Sequence, residues 1–258
     1  MSENIKKEIL ENGICLLSLE KSPVNALSYD LLLSLNNVFK DINNDKNIRV
    51  VILKSSLKHF SAGADLKERK IMSKSKSGDA LDNFNNCFNT IESISKPTIC
   101  IINGYCLGGG AEMALSFDFR IGLEDCIIGF PEVGLGIIPG AGGTQRLPKI
   151  LGISNAKYWI YTAKKFNSTK ALEFGFLNFV SNKKSSLNMA ISLANEIISN
   201  APIAVSSAKK AINTGYNLDI ESGLLEEREC YKISLNTKDR DEALDAFINK
   251  RKPKWSNE

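Results

Sequence analysis

The feature that most constrains the fold is the alternation of short apolar runs with amphipathic segments in the first half of the chain. The runs Ile14–Leu19, 50–54 and Thr98–Ile102 consist mainly of apolar residues, as strands buried on both faces do. Between them, apolar residues recur at the three- and four-residue spacing of a helix face. They are Leu32, Leu35 and Phe39 after the capping residue Ser28, and Leu81, Phe84, Phe88, Ile91 and Ile94 further on. The alternation predicts an α/β core.

Helix-patterned segments dominate after Leu135. We expect helices at 155–163, 169–174, 185–199, 203–214, 219–235 and 238–249, the last one capped by Thr237. Shorter strands are expected at 120–122 and 127–129, and the Lys- and Ser-rich residues 67–79 are expected to be mobile. The chain is therefore predicted to have a core containing the active site over residues 1–200, followed by a helical region over residues 201–258.

The amino-acid composition excludes several classes of function. The chain has one histidine, His59, so neither a three-His zinc site nor a His-x-x-x-His metal motif can form. The six cysteines include no Cys-x-x-Cys pair, which predicts buried, reduced thiols and a cytoplasmic location. No run of about 18 apolar residues is present, so we expect no membrane span. The net charge of +4 does not indicate nucleic-acid binding, because it equals the charge of one basic tail. The residues of that tail are Lys250, Arg251, Lys252 and Lys254.

Three consecutive glycines, Gly108, Gly109 and Gly110, follow an apolar run and open a helical segment that contains Glu112. Glycine lets the backbone approach a ligand closely, and the first amides of a helix have no intrahelical partner. The segment therefore suits an anion or a developing oxyanion. A plain tight turn is the alternative, since neither a Walker A loop nor the Gly-x-Gly-x-x-Gly spacing is present.

A second candidate acid, Glu132, follows Pro131 within an apolar stretch. Taken singly, Glu112 and Glu132 could each be structural. Together, two carboxyl groups near glycine-rich backbone are what proton transfer beside an oxyanion hole requires. The other glycine-rich stretch, residues 134–143, is interpreted as a structural turn, because Pro139 stands where a dinucleotide motif would need its third glycine.

Several blocks along the chain resemble the crotonase family, the enoyl-CoA hydratases and isomerases. They are P-V-N-A-L-S from Pro23, F-S-A-G-A-D-L-K-E from Phe60, N-G-Y-C-L-G-G-G-A-E from Asn103, D-F-R from Asp118, F-P-E from Phe130, T-Q-R-L-P from Thr144 and K-R-K-P from Lys250. They keep the family's order. The resemblance implies a crotonase-like α/β fold (the ClpP/crotonase fold), a spiral of repeated ββα units with a helical C-terminal region.

The resemblance also implies roles for individual residues. The backbone N–H groups of Ala64 and Gly109 would hold the thioester oxygen, and Glu112 and Glu132 would hold the water, with Glu132 as the proton donor to the α-carbon. Contacts with the coenzyme A (CoA) ester are implied for Val24, Ala26, Lys58, Ala62, Asp65, Leu66, Gly108, Pro131, Gly140 and Lys250. His59 is interpreted as a solvent-facing loop residue.

The expected activity is that of an enoyl-CoA hydratase, a carbon–oxygen lyase that adds water to a 2-enoyl-CoA to give a 3-hydroxyacyl-CoA. The coenzyme A is part of the acyl-CoA substrate, so we expect neither a metal nor a separate cofactor. We also expect no nucleic-acid or membrane partner. The family implies self-association into homotrimers, often paired into hexamers.

Three alternatives stay open. The segment from Gly63 to Arg69, with Met72 after it, resembles the methylglutaconyl-CoA hydratase branch, so a branched, carboxylated acyl chain stands beside short straight chains. A Δ3-Δ2 enoyl-CoA isomerase is the second alternative, although the presence of both glutamates favours a hydratase. An RNA-binding module is a different class, disfavoured because asparagines interrupt its basic residues. Those residues are Lys40, Lys46, Arg49 and Lys54.

Overall fold

The apolar runs of the first half form the middle of a largely parallel sheet. The computed structural model describes residues 4–71 and 76–258. Its strands are β1 Ile5–Ile9, β2 Ile14–Leu19, β3 Val50–Ser55, β4 Thr98–Ile102, β5 Tyr105–Leu107, β6 Phe119–Leu123, β7 Ile127–Gly129, β8 Lys165–Asn167 and β9 Phe179–Ser181. The larger sheet has the order β1-β2-β3-β4-β6-β9, in which only the β1–β2 pair is antiparallel. Every residue of β2 and β4 is buried, which confirms the strands predicted from the apolar runs.

A smaller sheet lies at the point where the chain leaves β4. Its order is β5-β7-β8, with β5 and β7 parallel and β7 and β8 antiparallel. Two isolated parallel bridges connect the loop before residue 66 to its surroundings, Ser61 to Cys106 in β5 and Ala64 to Leu27. The loop that contains Ala64 is therefore fixed on both sides by backbone pairing.

The helices begin and end close to the predicted positions. They are α1 Tyr29–Asn44, α2 Leu66–Ile71, α3 Lys76–Ser93, α4 Gly109–Leu115, α5 Gly143–Leu151, α6 Ile153–Tyr161, α7 Ser168–Glu173, α8 Ser186–Ile198, α9 Pro202–Gly215, α10 Ile220–Leu235 and α11 Lys238–Ile248. Both predicted caps are confirmed: Ser28 Oγ accepts from the Leu31 amide at 3.4 Å, and Thr237 Oγ1 accepts from the Arg240 amide at 3.1 Å.

One stretch was not predicted to be regular and another was not predicted to be helical. Of the residues 67–79, those in α2 and at the start of α3 are helical, and residues 72–75 lie outside the described residues, so their mobility stays a prediction. Helix α5 occupies a region that its glycines and Pro148 had not marked as helical. Gly142 caps it in the left-handed conformation, with φ of 98°, so the glycine starts the helix instead of preventing it.

The apolar stripes of α1 and α3 are buried against each other. Leu32, Leu35 and Phe39 of α1, with Phe84 and Phe88 of α3, all lie in the core. This packing holds the first turns of α3 beside the loop that contains Ala64. The six cysteines are free and buried, as predicted.

The described chain divides into two compact units. The first comprises the described residues of Met1–Ile94 together with Thr98–Ile191, and the second comprises Ser95–Pro97 with Ser192–Glu258. In the second unit, α9 packs against α10, and the buried carboxylate of Asp239 accepts hydrogen bonds from the amides of Ser256 and Asn257. Nowhere in the described chain does a helix combine the length and the hydropathy that a membrane crossing needs.

Candidate active site

A cleft of about 910 Å³ opens in the first unit, which is the size of a typical small-molecule site. Its wall comes from the loop before α2, the start of α4, the first turns of α3 and the glycine-rich residues 134–143. The cleft brings together most of the site residues expected from the sequence. Those in its wall are Ala62, Ala64, Leu66, Gly108, Gly109, Glu112, Pro131, Glu132 and Gly140.

Two backbone amides share one part of the wall. Gly109 is the first residue of α4, and a Cβ placed on it would lie 3.6 Å from the amide nitrogen of Ala64. A Cβ placed on Gly63 would lie 3.4 Å from the amide nitrogen of Gly109. Within residues 4–71 and 76–258, neither of these two N–H groups donates a hydrogen bond to the protein. Two unpaired donors, one at a positive helix end, can stabilise negative charge that develops on one oxygen.

A buried polar network fixes the loop that contains Ala64. Asn25 is fully buried, and its Nδ2 donates to the backbone oxygens of His59 and Phe60 at 3.1 Å each. Ser61 Oγ donates to the carbonyl oxygen of Asn25 at 2.8 Å and accepts from the Gly63 amide at 3.2 Å. The donors of the cleft are therefore held in place before any ligand binds, which is the requirement for electrostatic stabilisation.

Glu112 is buried in the first turn of α4, where it accepts two backbone hydrogen bonds. Its Oε1 atom accepts from the amides of Ala141 and Gly143 at 2.8 Å each. Burial raises the pKa of this carboxyl, and the two amides together with the charge of Arg146 oppose that rise. The amides favour the ionised form, so Glu112 is placed to accept a proton or to hold a water molecule.

Glu132 is also buried, but in different surroundings. Among the described residues, its Oε2 atom has no hydrogen-bond partner. A Cβ placed on Gly108 would lie 2.8 Å from its Oε1 atom, so the carboxyl lies directly against the glycine turn. Burial, with a contribution from the charge of Glu112, raises the pKa of Glu132 to about 7. Glu132 therefore keeps its proton to a higher pH than an ordinary glutamate and can act as an acid.

The stretch 134–143 does more than turn the chain. It provides the amides that bind Glu112, and it forms one wall of the cleft. Arg146 fastens this stretch to α3, because its guanidinium donates to the carbonyl oxygen of Ala141, to Asn89 Oδ1 and to Glu92 Oε2. The turn interpretation missed this role, which no spacing in the sequence reveals.

The other predicted site residues lie outside the cleft wall. Val24 accepts from the Ala62 amide at 3.0 Å and thereby supports the wall from behind. The carbonyl oxygen of Ala26 accepts from Lys21 Nζ, and Asp65 pairs with the same lysine at 3.3 Å. The remaining two are Lys58, exposed on the loop between β3 and α2, and Lys250, exposed in the second unit.

His59 is not the freely solvated residue that the sequence predicted. It is half-buried, its ring stacks on Tyr105 with centroids 4.6 Å apart, and its Nδ1 atom accepts from the Tyr105 amide at 3.0 Å. The residue therefore has a structural role at the start of β5. No grouping of three or more His, Cys, Asp or Glu side chains suitable for a metal ion occurs within the described residues.

The chain is similar to known proteins along almost its whole length. The model of the family described as enoyl-CoA hydratase/isomerase matches residues 10–258. The chain belongs to the enoyl-CoA hydratase/isomerase family. A relative named probable enoyl-CoA hydratase 2, mitochondrial, from Arabidopsis thaliana is 43% identical over 95% of this chain and 82% of its own length. The methylglutaconyl-CoA hydratase, mitochondrial, of Mus musculus is 38% identical over 95% of this chain and 80% of its own length.

A solved relative confirms the fold that the resemblance implied. The crystal structure of an enoyl-CoA hydratase from Bacillus anthracis superimposes with a TM-score of 0.96. It is 41% identical, and the match covers 99% of this chain and all of that one. This member of the hydratase/isomerase family therefore has the crotonase-like α/β fold with a helical C-terminal region.

Proposed function

We propose that the protein is an enoyl-CoA hydratase that adds water to a 2-enoyl-CoA thioester and releases a 3-hydroxyacyl-CoA. One observation supports the proposal most strongly: two buried carboxyl groups in different surroundings line the same cleft as two unpaired backbone amides. Hydration requires the same elements, namely a held water, a proton donor and a stabilised thioester oxygen.

The amides of Ala64 and Gly109 would bind the thioester oxygen. Attack of water on the β-carbon moves electrons toward that oxygen, and donors placed beforehand stabilise the enolate as it forms. Removing one donor of this type typically costs about 3–4 kcal/mol of transition-state stabilisation. The first-turn position of Gly109 adds the positive end of the helix dipole.

The two glutamates would divide the proton transfers. Glu112, whose ionised form is favoured by two backbone amides, would orient the water and accept a proton from it as the new C–O bond forms. Glu132, protonated because it is buried, donates its proton to the α-carbon. Carboxyl groups that share a site commonly differ in pKa in this way.

The remaining expectations are part of the same proposal. Lys58 and, from a neighbouring subunit, Lys250 would approach the phosphates of coenzyme A, and the protein would work as a homotrimer or hexamer. Six buried free cysteines support a reducing compartment, for which the cytoplasm is our proposal. No metal or separate cofactor takes part in the proposed reaction.

Mixing the purified protein with crotonyl-CoA tests the hydratase. We expect the ultraviolet absorbance of the conjugated thioester to disappear, and we expect Glu132→Gln to lower kcat by about 100- to 10,000-fold, the usual contribution of general acid–base catalysis. Product formation left intact by Glu132→Gln would disprove the mechanism. Turnover of 3-enoyl-CoA alone would identify an isomerase instead.

A further inference from the structure

One positive charge lines the cleft. Among the described residues of its wall, Arg69 is the only basic side chain. Arg69 extends from α2, and its guanidinium carbon lies 5.3 Å from the centre of the Phe84 ring. Phe84 is itself buried and lines the same cleft.

The position of Phe84 sets where this charge lies along a bound substrate. A Cβ placed on Gly109 would lie 3.0 Å from Phe84 Cε1, so one edge of the ring contacts the turn proposed to bind the thioester oxygen. The guanidinium of Arg69 packs on the same ring. About one aromatic ring therefore separates the thioester position from the cation, a distance that a short acyl chain can span.

Acidic side chains close to Arg69 in the sequence have other partners. Asp65 pairs with Lys21 at 3.3 Å, and the carboxylate of Glu68 accepts from the Tyr29 amide at 3.0 Å. Within residues 4–70 and 80–258, Arg69 forms no ion pair, and its guanidinium donates no hydrogen bond. Its charge acts at a distance on Glu112 in the same cleft, where it opposes the rise in pKa of that carboxyl. The guanidinium has no direct ionic partner among these residues and remains available to an anion that enters the cleft.

Apolar side chains make up much of the rest of the cleft wall, although Asn85 also lines it. Leu66, Leu81, Ile137 and Ile138 line the cleft together with Phe84. An acyl chain with a neutral end would contact these apolar residues but would offer the guanidinium no anion for direct pairing. A guanidinium binds a carboxylate through two parallel hydrogen bonds, and such a pair is strengthened where water is excluded.

We propose that Arg69 selects enoyl-CoA substrates whose acyl group ends in a carboxylate. The inference rests on the proposed hydratase function and names its substrate class. Arg69 would act on specificity through the far end of the acyl group, while Glu112 and Glu132 act at the double bond.

Two matched pairs of substrates test the inference. Crotonyl-CoA is compared with glutaconyl-CoA, and 3-methylcrotonyl-CoA with 3-methylglutaconyl-CoA, because the members of each pair differ only in the terminal carboxylate. We expect the wild type to have the higher kcat/KM for the carboxylated member. We expect Arg69→Gln to lower the ratio of kcat/KM values, carboxylated over neutral, by about 10- to 100-fold, the range of a charged hydrogen bond.

Two further variants sharpen the test. Arg69→Lys keeps the charge and should retain more of the ratio than Arg69→Gln. Lys70→Gln removes a neighbouring exposed charge outside the cleft wall and should leave the ratio unchanged. The inference is overturned if the wild type hydrates crotonyl-CoA without preferring the carboxylated partner, or if Arg69→Gln leaves the ratio unchanged. If the wild type hydrates none of the four thioesters, the proposed function itself is rejected.

Discussion

Glu112 and Glu132 are both glutamates, but their surroundings give them different proton affinities. Glu112 has two backbone donors at 2.8 Å, whereas Oε2 of Glu132 has no partner among the described residues. Both are buried, so desolvation favours the neutral acid at each position. The amides of Ala141 and Gly143 oppose this at Glu112 only, and the two carboxyls can therefore be in different protonation states at neutral pH.

The raised pKa of Glu132 has a consequence for stability as well as for rate. The unfolded chain loses this proton near pH 4.5, and the folded chain keeps it to about pH 7. Between these values the folded state binds more protons, so the free energy of unfolding falls as the pH rises. The hydration rate should also fall above about pH 7 as the acid ionises. We expect the free energy of unfolding of Glu132→Gln at pH 8, measured with denaturant, to exceed that of the wild type by about 3 kcal/mol. This figure converts the rise in pKa at about 1.36 kcal/mol per pKa unit.

The same pair of proteins at pH 4 is the control, because Glu132 is then protonated in both the folded and the unfolded chain. The stability difference should shrink toward zero there. A difference that does not change between pH 4 and pH 8 would show that Glu132 ionises in the folded protein as an ordinary glutamate does.

Sequence reasoning found both glutamates but not what surrounds them. A glycine-opened helix predicts unpaired amides beside Glu112, and the family resemblance pairs it with Glu132. The amides of Ala141 and Gly143 could not be predicted, because a backbone donor has no signature in the side-chain pattern. Arg69 was not predicted either, because its proposed role depends on its position over Phe84, fifteen residues later in the chain.

At the scale of elements, the site depends on close contact between the loop before α2 and the turn that starts α4. Ser61 accepts from the Leu107 amide at 3.0 Å through its carbonyl oxygen, and it donates to the Tyr105 carbonyl at 3.1 Å. Gly110 lies directly behind this contact. A Cβ there would be 2.7 Å from the Ser61 carbonyl oxygen and 2.8 Å from Ser61 Cβ. Both distances are shorter than Cβ contacts in proteins, so a side chain at position 110 would push the two segments apart. Gly110 therefore sets the separation of the Ala64 and Gly109 amides.

We therefore expect Gly110→Ala to lower kcat by about 100-fold or more, since misplacing one donor of an oxyanion hole has that effect. Steady-state hydration of crotonyl-CoA measures the change. Gly223→Ala in α10 is the matched control, because a Cβ there meets its nearest atom at an ordinary 3.6 Å. This control should keep the wild-type kcat. A Gly110→Ala protein with normal kcat would show that the two segments can move apart without harm.

The elements that sequence reasoning predicted are those with a strong period or a cap. Strands β2 and β4 and helices α1 and α11 have continuous apolar runs or capped amphipathic patterns. Short edge elements were missed. β8 and β9 have three residues each, too few to establish a period, and they exist because β7 and β6 offer open edges for pairing.

At the scale of the whole molecule, the second unit exposes large apolar side chains that a stable monomer would not be expected to expose. They include Ile220 at 76%, Leu225 at 63%, Phe247 at 84% and Ile248 at 76% of full exposure. All four belong to two helices, α10 and α11, and contiguous exposed apolar surface typically marks an interface with another chain. Sequence patterning predicted only that these segments are helical, and the trimer expectation came from the family resemblance.

We expect the wild type to sediment as a trimer or hexamer, and we expect Phe247→Asp to shift it toward smaller species. A carboxylate in an apolar interface loses hydration without gaining a partner, so assembly becomes unfavourable. Dissociation should also raise the KM for crotonyl-CoA, because Lys250 follows Phe247 closely and is proposed to reach the coenzyme A phosphates of a neighbouring subunit.

Lys157→Glu, a substitution at an exposed position of α6, is the control and should alter neither the sedimentation nor the KM. If the wild type sediments as a monomer and still hydrates crotonyl-CoA, catalysis does not depend on assembly. It would also assign the exposed apolar residues of α10 and α11 to some other partner.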